Sequence, residues 1–179
     1  MTKSKQKSLA HLRSKLSSKT PSIGSWIQIN SCDVAELISH SKYDWLVIDM
    51  EHGSISLSNL PGMIRSIELS GVIPLVRVPV INERYCKAVM DAGAYGLILP
   101  MVKSAKDIIQ AINFSCWPPK GSRGVGFSRA NMYGKYFEEY KSFSQKPFIV
   151  AQIENKSAFE DLENISVSYT HLRAHETSD

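Results

Sequence analysis

Three apolar runs in this sequence end on side chains capable of chemistry. They are Trp45-Leu46-Val47-Ile48-Asp49-Met50-Glu51-His52, Pro74-Leu75-Val76-Arg77 and Phe148-Ile149-Val150-Ala151-Gln152-Ile153-Glu154. Asp49, Glu51 and Glu154 offer carboxylates, His52 an imidazole and Arg77 a guanidinium. An apolar strand that ends this way aims its polar side chains out of one rim of a parallel sheet, and in α/β proteins that rim is where ligands bind. Gln152 and Glu154 are two apart on a strand and share a face. Arg77 interrupts an apolar stretch from Val72 to Val80. An unpaired buried guanidinium is costly, so it requires an anion, either a structural carboxylate or a ligand. A lone histidine such as His52 just past a strand is either a capping or packing residue or a base.

Rigid elements must hold these groups. Ile23 to Ile29 reads as a first strand, and Asp33 as the cap of a helix running to about His40. Trp45 to Asp49 is nearly continuous in apolar residues, as befits a strand buried on both faces. Ser56 or Ser58 is placed to cap a helix that Gly71 ends. A third strand follows at Ile73 to Val78, then a helix from Glu83 to Ala92, a fourth strand at Gly96 to Met101 and a helix from Ala105 to about Phe114. Trp117 to Gly126 is a loop. A short helix at Lys135 to Phe143, a strand at Pro147 to Ile153 and a helix at Ser157 to Glu163 complete five alternations of β and α. That rhythm calls for a parallel sheet covered by helices. A dinucleotide-binding doubly wound sheet would place G-x-G-x-x-G after its first strand, where this chain has Asn30-Ser31-Cys32-Asp33. Because the polar residues follow successive strands instead of clustering at one switch point, a TIM (β/α)8 barrel is the better architecture.

Composition narrows the class. A chain of 179 residues with 43% apolar content is one globular domain by prior. The net charge of +4 is mild and the basic residues carry no nucleic-acid stripe. Cys32, Cys86 and Cys116 form no C-x-x-C and suit free thiols in a reducing cytoplasm. No stretch is apolar enough to span a bilayer, and no hydrophobic signal core opens the chain. Leu9, Leu12 and Leu16 at helical spacing indicate a packing helix rather than an organelle transit segment.

Five motifs occur in order: Ile48-Asp49-Met50-Glu51-His52-Gly53, Val76-Arg77-Val78-Pro79, Asp91-Ala92-Gly93-Ala94-Tyr95-Gly96 running on to Met101, Pro118-Pro119-Lys120-Gly121-Ser122-Arg123-Gly124-Val125-Gly126, and Gln152-Ile153-Glu154-Asn155. Together they resemble the HpcH/HpaI aldolase/citrate lyase family, over about Leu9 to Ile165. The resemblance implies a TIM barrel of the phosphoenolpyruvate/pyruvate type, incomplete here at about five βα units. It implies a divalent-metal-dependent (class II) aldolase that splits a 4-hydroxy-2-oxo (2-keto-3-deoxy) acid into pyruvate and an aldehyde, reversibly. The alternatives are a citrate or citryl-thioester lyase or synthase of the same superfamily, and a truncated barrel without activity.

Carried over residue by residue, the resemblance makes Glu154 the metal ligand for Mg²⁺ or Mn²⁺, Gln152 a substrate contact, Arg77 the group that orients pyruvate, and His52 with Asp91 a catalytic pair. Asp91 lies near the C-terminus of its helix, where its charge opposes the dipole, and a donor such as His52 would compensate it. The carboxylate would fix the tautomer of the ring and raise its basicity. Asp49 reads as a supporting carboxylate, and His11 and His40 as surface residues. Trp26 in the first strand is a core residue by default, while the resemblance places it near the substrate. Arg123, in the loop, is a candidate for meeting an acidic substrate tail. The second carboxylate ligand of the family, in a Gly-Pro-x-Asp-Leu-Ser segment, is missing from this chain. Residues 1–165 are therefore expected to be the N-terminal part of the barrel, and 166–179 an unrelated, artefactual or disordered tail. By resemblance the full-length protein is a hexamer.

Overall fold

The computed structural model describes residues 2–167; the expected tail falls largely outside them. Five strands form one parallel sheet: β1 (Gly24–Ile27), β2 (Trp45–Asp49), β3 (Ile73–Arg77), β4 (Gly96–Leu99) and β5 (Phe148–Ala151). Their spatial order is β1-β2-β3-β4-β5, with every neighbouring pair parallel. Each new strand is added on the same side of the last. A doubly wound sheet would reverse direction at its switch point. The fold is α/β, of the TIM-barrel type, with five βα units.

The helices that accompany the sheet include α1 (Thr2–Ser17), α2 (Cys32–Ser39), α3 (Leu60–Leu69), α4 (Glu83–Ala92), α5 (Ala105–Ser115), α6 (Phe137–Phe143) and α7 (Lys156–Glu160). Local chemistry sets their ends. Ser31, not Asp33, caps α2: its side chain accepts from Val34 N, while Asp33 sits in the first turn, where its charge favours the dipole. Asn59 rather than Ser56 or Ser58 precedes α3, with Pro61 in its first turn. Asn82 caps α4, and Gly93 ends it at φ +99°, a left-handed conformation that suits glycine. Among the described residues, no helix is long and apolar enough to cross a membrane.

The two faces of the sheet bury different partners. Leu46, Ile48, Val76, Leu97 and Ile149 face outward and pack under α3, α4 and α5. Val47, Leu75, Ile98 and Phe148 face inward, where Leu9 and Leu12 of α1 close the lower end with Tyr140 and Phe143 of α6. Leu9 and Leu12 are buried, whereas Leu16 is exposed. A cavity of about 250 Å³ lies on this inner face between Leu16, Trp45, Leu75 and Val150. Cys32, Cys86 and Cys116 are free thiols.

Candidate active site

The inward face turns polar at the C-terminal ends of its strands. Asp49 and Arg77 pair directly in the β2–β3 register, as the last residues of their strands. Ile98 and Val150 continue the same row across β4 and β5. Gln152 and Glu154 lie in the chain that leaves β5.

Asp49 is the hub. Its side chain is 0% exposed and accepts five hydrogen bonds. Arg77 donates two, from Nε to Oδ1 at 2.9 Å and from Nη2 to Oδ2 at 2.6 Å. Gln28 Nε2 donates one at 2.8 Å, and the backbone N–H groups of Glu51 and His52 donate at 3.1 and 3.2 Å. Burial alone would raise the pKa of this carboxyl. The hydrogen bonds from Arg77, Gln28 and the His52 backbone outweigh burial and hold it down at about 2. Asp49 is thus an ionised, acceptor-only brace.

Arg77 is held with equal care. Asp49 raises its pKa most, against the opposing effect of burial, with Glu51 and Glu154 adding to the field. Nη1 lies 3.1 Å from Glu51 Oε2. The guanidinium also lies over the ring of Trp26, 4.7 Å from its centroid. Trp26 is 41% exposed. It is a wall of the rim and not the core residue that position in a strand suggests by default. Only two of the five guanidinium N–H groups are spent on Asp49, so Nη1 and Nη2 retain N–H groups beyond that pair.

His52 is exposed, just past the turn that Asp49 braces. Gly53 follows it because nothing larger fits: a Cβ there would come within 2.3 Å of Asp49 O and 3.0 Å of Gln28 O. Glu154 is exposed, and its Oε1 accepts from Met101 N at 2.6 Å. That bond holds Met101 in a left-handed conformation at φ +50°. Gln152 Oε1 is buried without a hydrogen-bond partner.

Two expected contacts are not made. Asp91 does not meet His52 within the chain. It is the penultimate residue of α4, which returns to the lower end of the sheet, whereas His52 follows the upper end of β2. Asp91 Oδ1 instead accepts from Arg123 Nη2 at 2.7 Å and Nε at 3.2 Å. Arg123 is consequently unavailable to a substrate tail. It is 0% exposed, with Nη1 donating to Ser115 O at 3.0 Å and to the Tyr140 hydroxyl at 3.2 Å. The charge of Asp91, which opposes the helix dipole, does meet a cation: an arginine from the loop after α5. Two contributors have weak sequence signals. Gln28 shares a face with Trp26 by strand alternation, and the Met101 N–H carries no side-chain signature at all.

The family model for HpcH/HpaI aldolase/citrate lyase matches residues 22–174. The chain belongs to this family. The chain is similar to the hydroxypyruvate/pyruvate aldolase of Agrobacterium fabrum, 35% identical over 147 residues, covering 81% of this chain and 55% of that protein. The 4-hydroxy-2-oxovalerate aldolase of Novosphingobium aromaticivorans is 34% identical, over 80% of this chain and 55% of its own length. The crystal structure of an HpcH/HpaI aldolase/citrate lyase family protein from Burkholderia cenocepacia J2315 superposes with a TM-score of 0.78 at 30% identity, covering 83% of this chain and 60% of that one. The chain thus spans a little over half the length of the curated aldolases it matches. Its homologues are lyases, in a family of class II aldolases that takes in citrate-lyase relatives.

The residues present can be weighed against the divalent cation of such enzymes. Glu154 and Gln152, both just past β5, offer hard oxygen donors, the first exposed and the second buried but unpartnered. Those donors suit Mg²⁺ or Mn²⁺ rather than a soft metal. They form an anchor and not a full cage: among the described residues, no group of three His, Cys, Asp or Glu converges on one point.

Proposed function

We propose that the protein is a class II aldolase, dependent on Mg²⁺ or Mn²⁺, that cleaves a 4-hydroxy-2-oxo acid into pyruvate and an aldehyde and catalyses the reverse addition. The observation that carries this reading is the Arg77 guanidinium, braced by buried Asp49 and stacked on exposed Trp26, on the same rim as Glu154.

Glu154 would hold the cation, with Gln152 beside it. When bound, the cation supplies Lewis acidity to the oxygens of the keto acid. Arg77 binds the pyruvyl oxygens with the N–H groups that Asp49 and Glu51 leave free, and stabilises the negative charge that grows there as the carbon–carbon bond breaks. Asp49 keeps the fork in one orientation, so little reorganisation is needed at the moment of reaction. His52 takes the proton of the 4-hydroxyl. The C3–C4 bond then breaks, the aldehyde leaves, and the electron pair passes to the keto oxygen as an enolate that is protonated at C3 to give pyruvate. Trp26 walls the site.

A coupled pyruvate-release assay on the intact gene product, across a panel of 4-hydroxy-2-oxo acids, tests the reading. Release from at least one acid, abolished by EDTA and restored by Mg²⁺ or Mn²⁺, is the expected result. No EDTA-sensitive release from any member contradicts it.

A further inference from the structure

The order of the strands lays out the substrate. In the aldolase reading, on which this inference rests, the keto-acid end lies between Arg77 after β3 and Glu154 after β5, and the 4-hydroxyl lies at His52 after β2. The next strand in that direction is β1, and neighbouring strands are about 4.8 Å apart. The carbons beyond C4 therefore reach the end of β1, where Trp26 and Gln28 share the inward face.

The orientation of the Gln28 amide follows from its partner. Asp49 is fully buried and ionised, and an ionised carboxylate only accepts. The atom of Gln28 that meets it at 2.8 Å must be the NH₂ group. The amide oxygen then points away from Asp49, and Gln28 as a whole is exposed at the rim. Because Gly53 packs against the Gln28 backbone, the residue is fixed at both ends. The outcome is a hydrogen-bond acceptor held beside the path of the aldehyde fragment. An aldehyde fragment meets an acceptor best with a hydroxyl.

We infer that Gln28 is a specificity-determining residue, which accepts a hydrogen bond from a hydroxyl on the aldehyde fragment and so makes the protein prefer hydroxylated aldehydes to unsubstituted ones. The test is the aldol addition of pyruvate to glycolaldehyde and to acetaldehyde, in the intact gene product with Mg²⁺ or Mn²⁺. The wild type should favour glycolaldehyde by about tenfold or more in kcat/KM, and Gln28→Met should cut that ratio by about tenfold. A wild type with no preference overturns the inference whether or not the variant folds. An unchanged ratio in the variant, with both rates moving together, also overturns it, because Gln28 would then act only by bracing Asp49. Absence of addition to either aldehyde in the wild type overturns the aldolase reading itself, and this inference with it.

Discussion

Buried arginines stand at both ends of the sheet, in different circumstances. At the lower end their partners come from the packed helices and loops around them. Arg129 donates to Ala92 O and to Glu68, and Arg123 to Asp91, Ser115 O and the Tyr140 hydroxyl. Lys5 of α1 joins the same group, donating to Gly93 O at 2.9 Å and lying 3.0 Å from Glu68. Burial lowers its pKa, and Glu68 works against that shift. At the upper rim Arg77 is held by Asp49 and Glu51, under the exposed indole of Trp26 and near the exposed Glu154. The lesson is that residue type does not separate an ion pair that locks a helix end from one that waits for a ligand. What separates them is what borders the guanidinium: packed helices at the lower end, an exposed indole and an exposed carboxylate at the rim.

The largest effects should come from removing the rim cation. Arg77→Met leaves Asp49 buried without its main partner and should cost about 3–5 kcal/mol in denaturant unfolding. In the folded fraction kcat/KM should fall about 10²–10³-fold. Arg77→Lys restores the charge but not the two-pronged grip, so activity should stay low as stability partly recovers. Glu68→Gln tests the other end. It should cost about 3–5 kcal/mol of stability and leave kcat per folded molecule unchanged; a fall in kcat would erase the distinction between the ends.

Acid unfolding gives a smaller effect. The carboxyl of Asp49 titrates at about 2 in the fold, below its ordinary value of 3.8. Its contribution to stability is therefore complete above pH 3.8 and disappears as pH falls through about 2. Stability measured against pH should show that loss in the wild type, and Asp49→Asn should flatten it. The smallest effect belongs to Trp26. Replacing it with Leu removes a cation–π contact worth about 0.5–1 kcal/mol, and should raise KM for the keto acid a few-fold while Tm barely moves.

Much of the rim was legible in the sequence because apolar strands that stop at Asp49 and Arg77 have few ways to place those charges. The five βα units were legible for the same reason: buried parallel strands are continuous apolar runs between caps and glycines. The apolar runs continue past the strand ends, to Ile29, Met101 and Ile153, because apolar content does not mark where ladder pairing stops. The partner of Asp91 was not legible. Arg123 comes from a loop, 32 residues away, and only the docking of that loop on α4 and α6 brings them together. The exposure of Trp26 was equally hidden, since alternation assigns a face but not what covers it.

We propose that Glu154 anchors a divalent cation on the rim that Arg77 serves. This role of Glu154 is tested most directly by titrating Mn²⁺ into the intact gene product and its Glu154→Ala variant, followed by electron paramagnetic resonance, with aldol turnover measured on the same samples. The variant should lose both Mn²⁺ binding and EDTA-sensitive turnover while keeping the wild-type Tm without metal. A variant that still binds Mn²⁺ as tightly and turns over as fast as the wild type would contradict it.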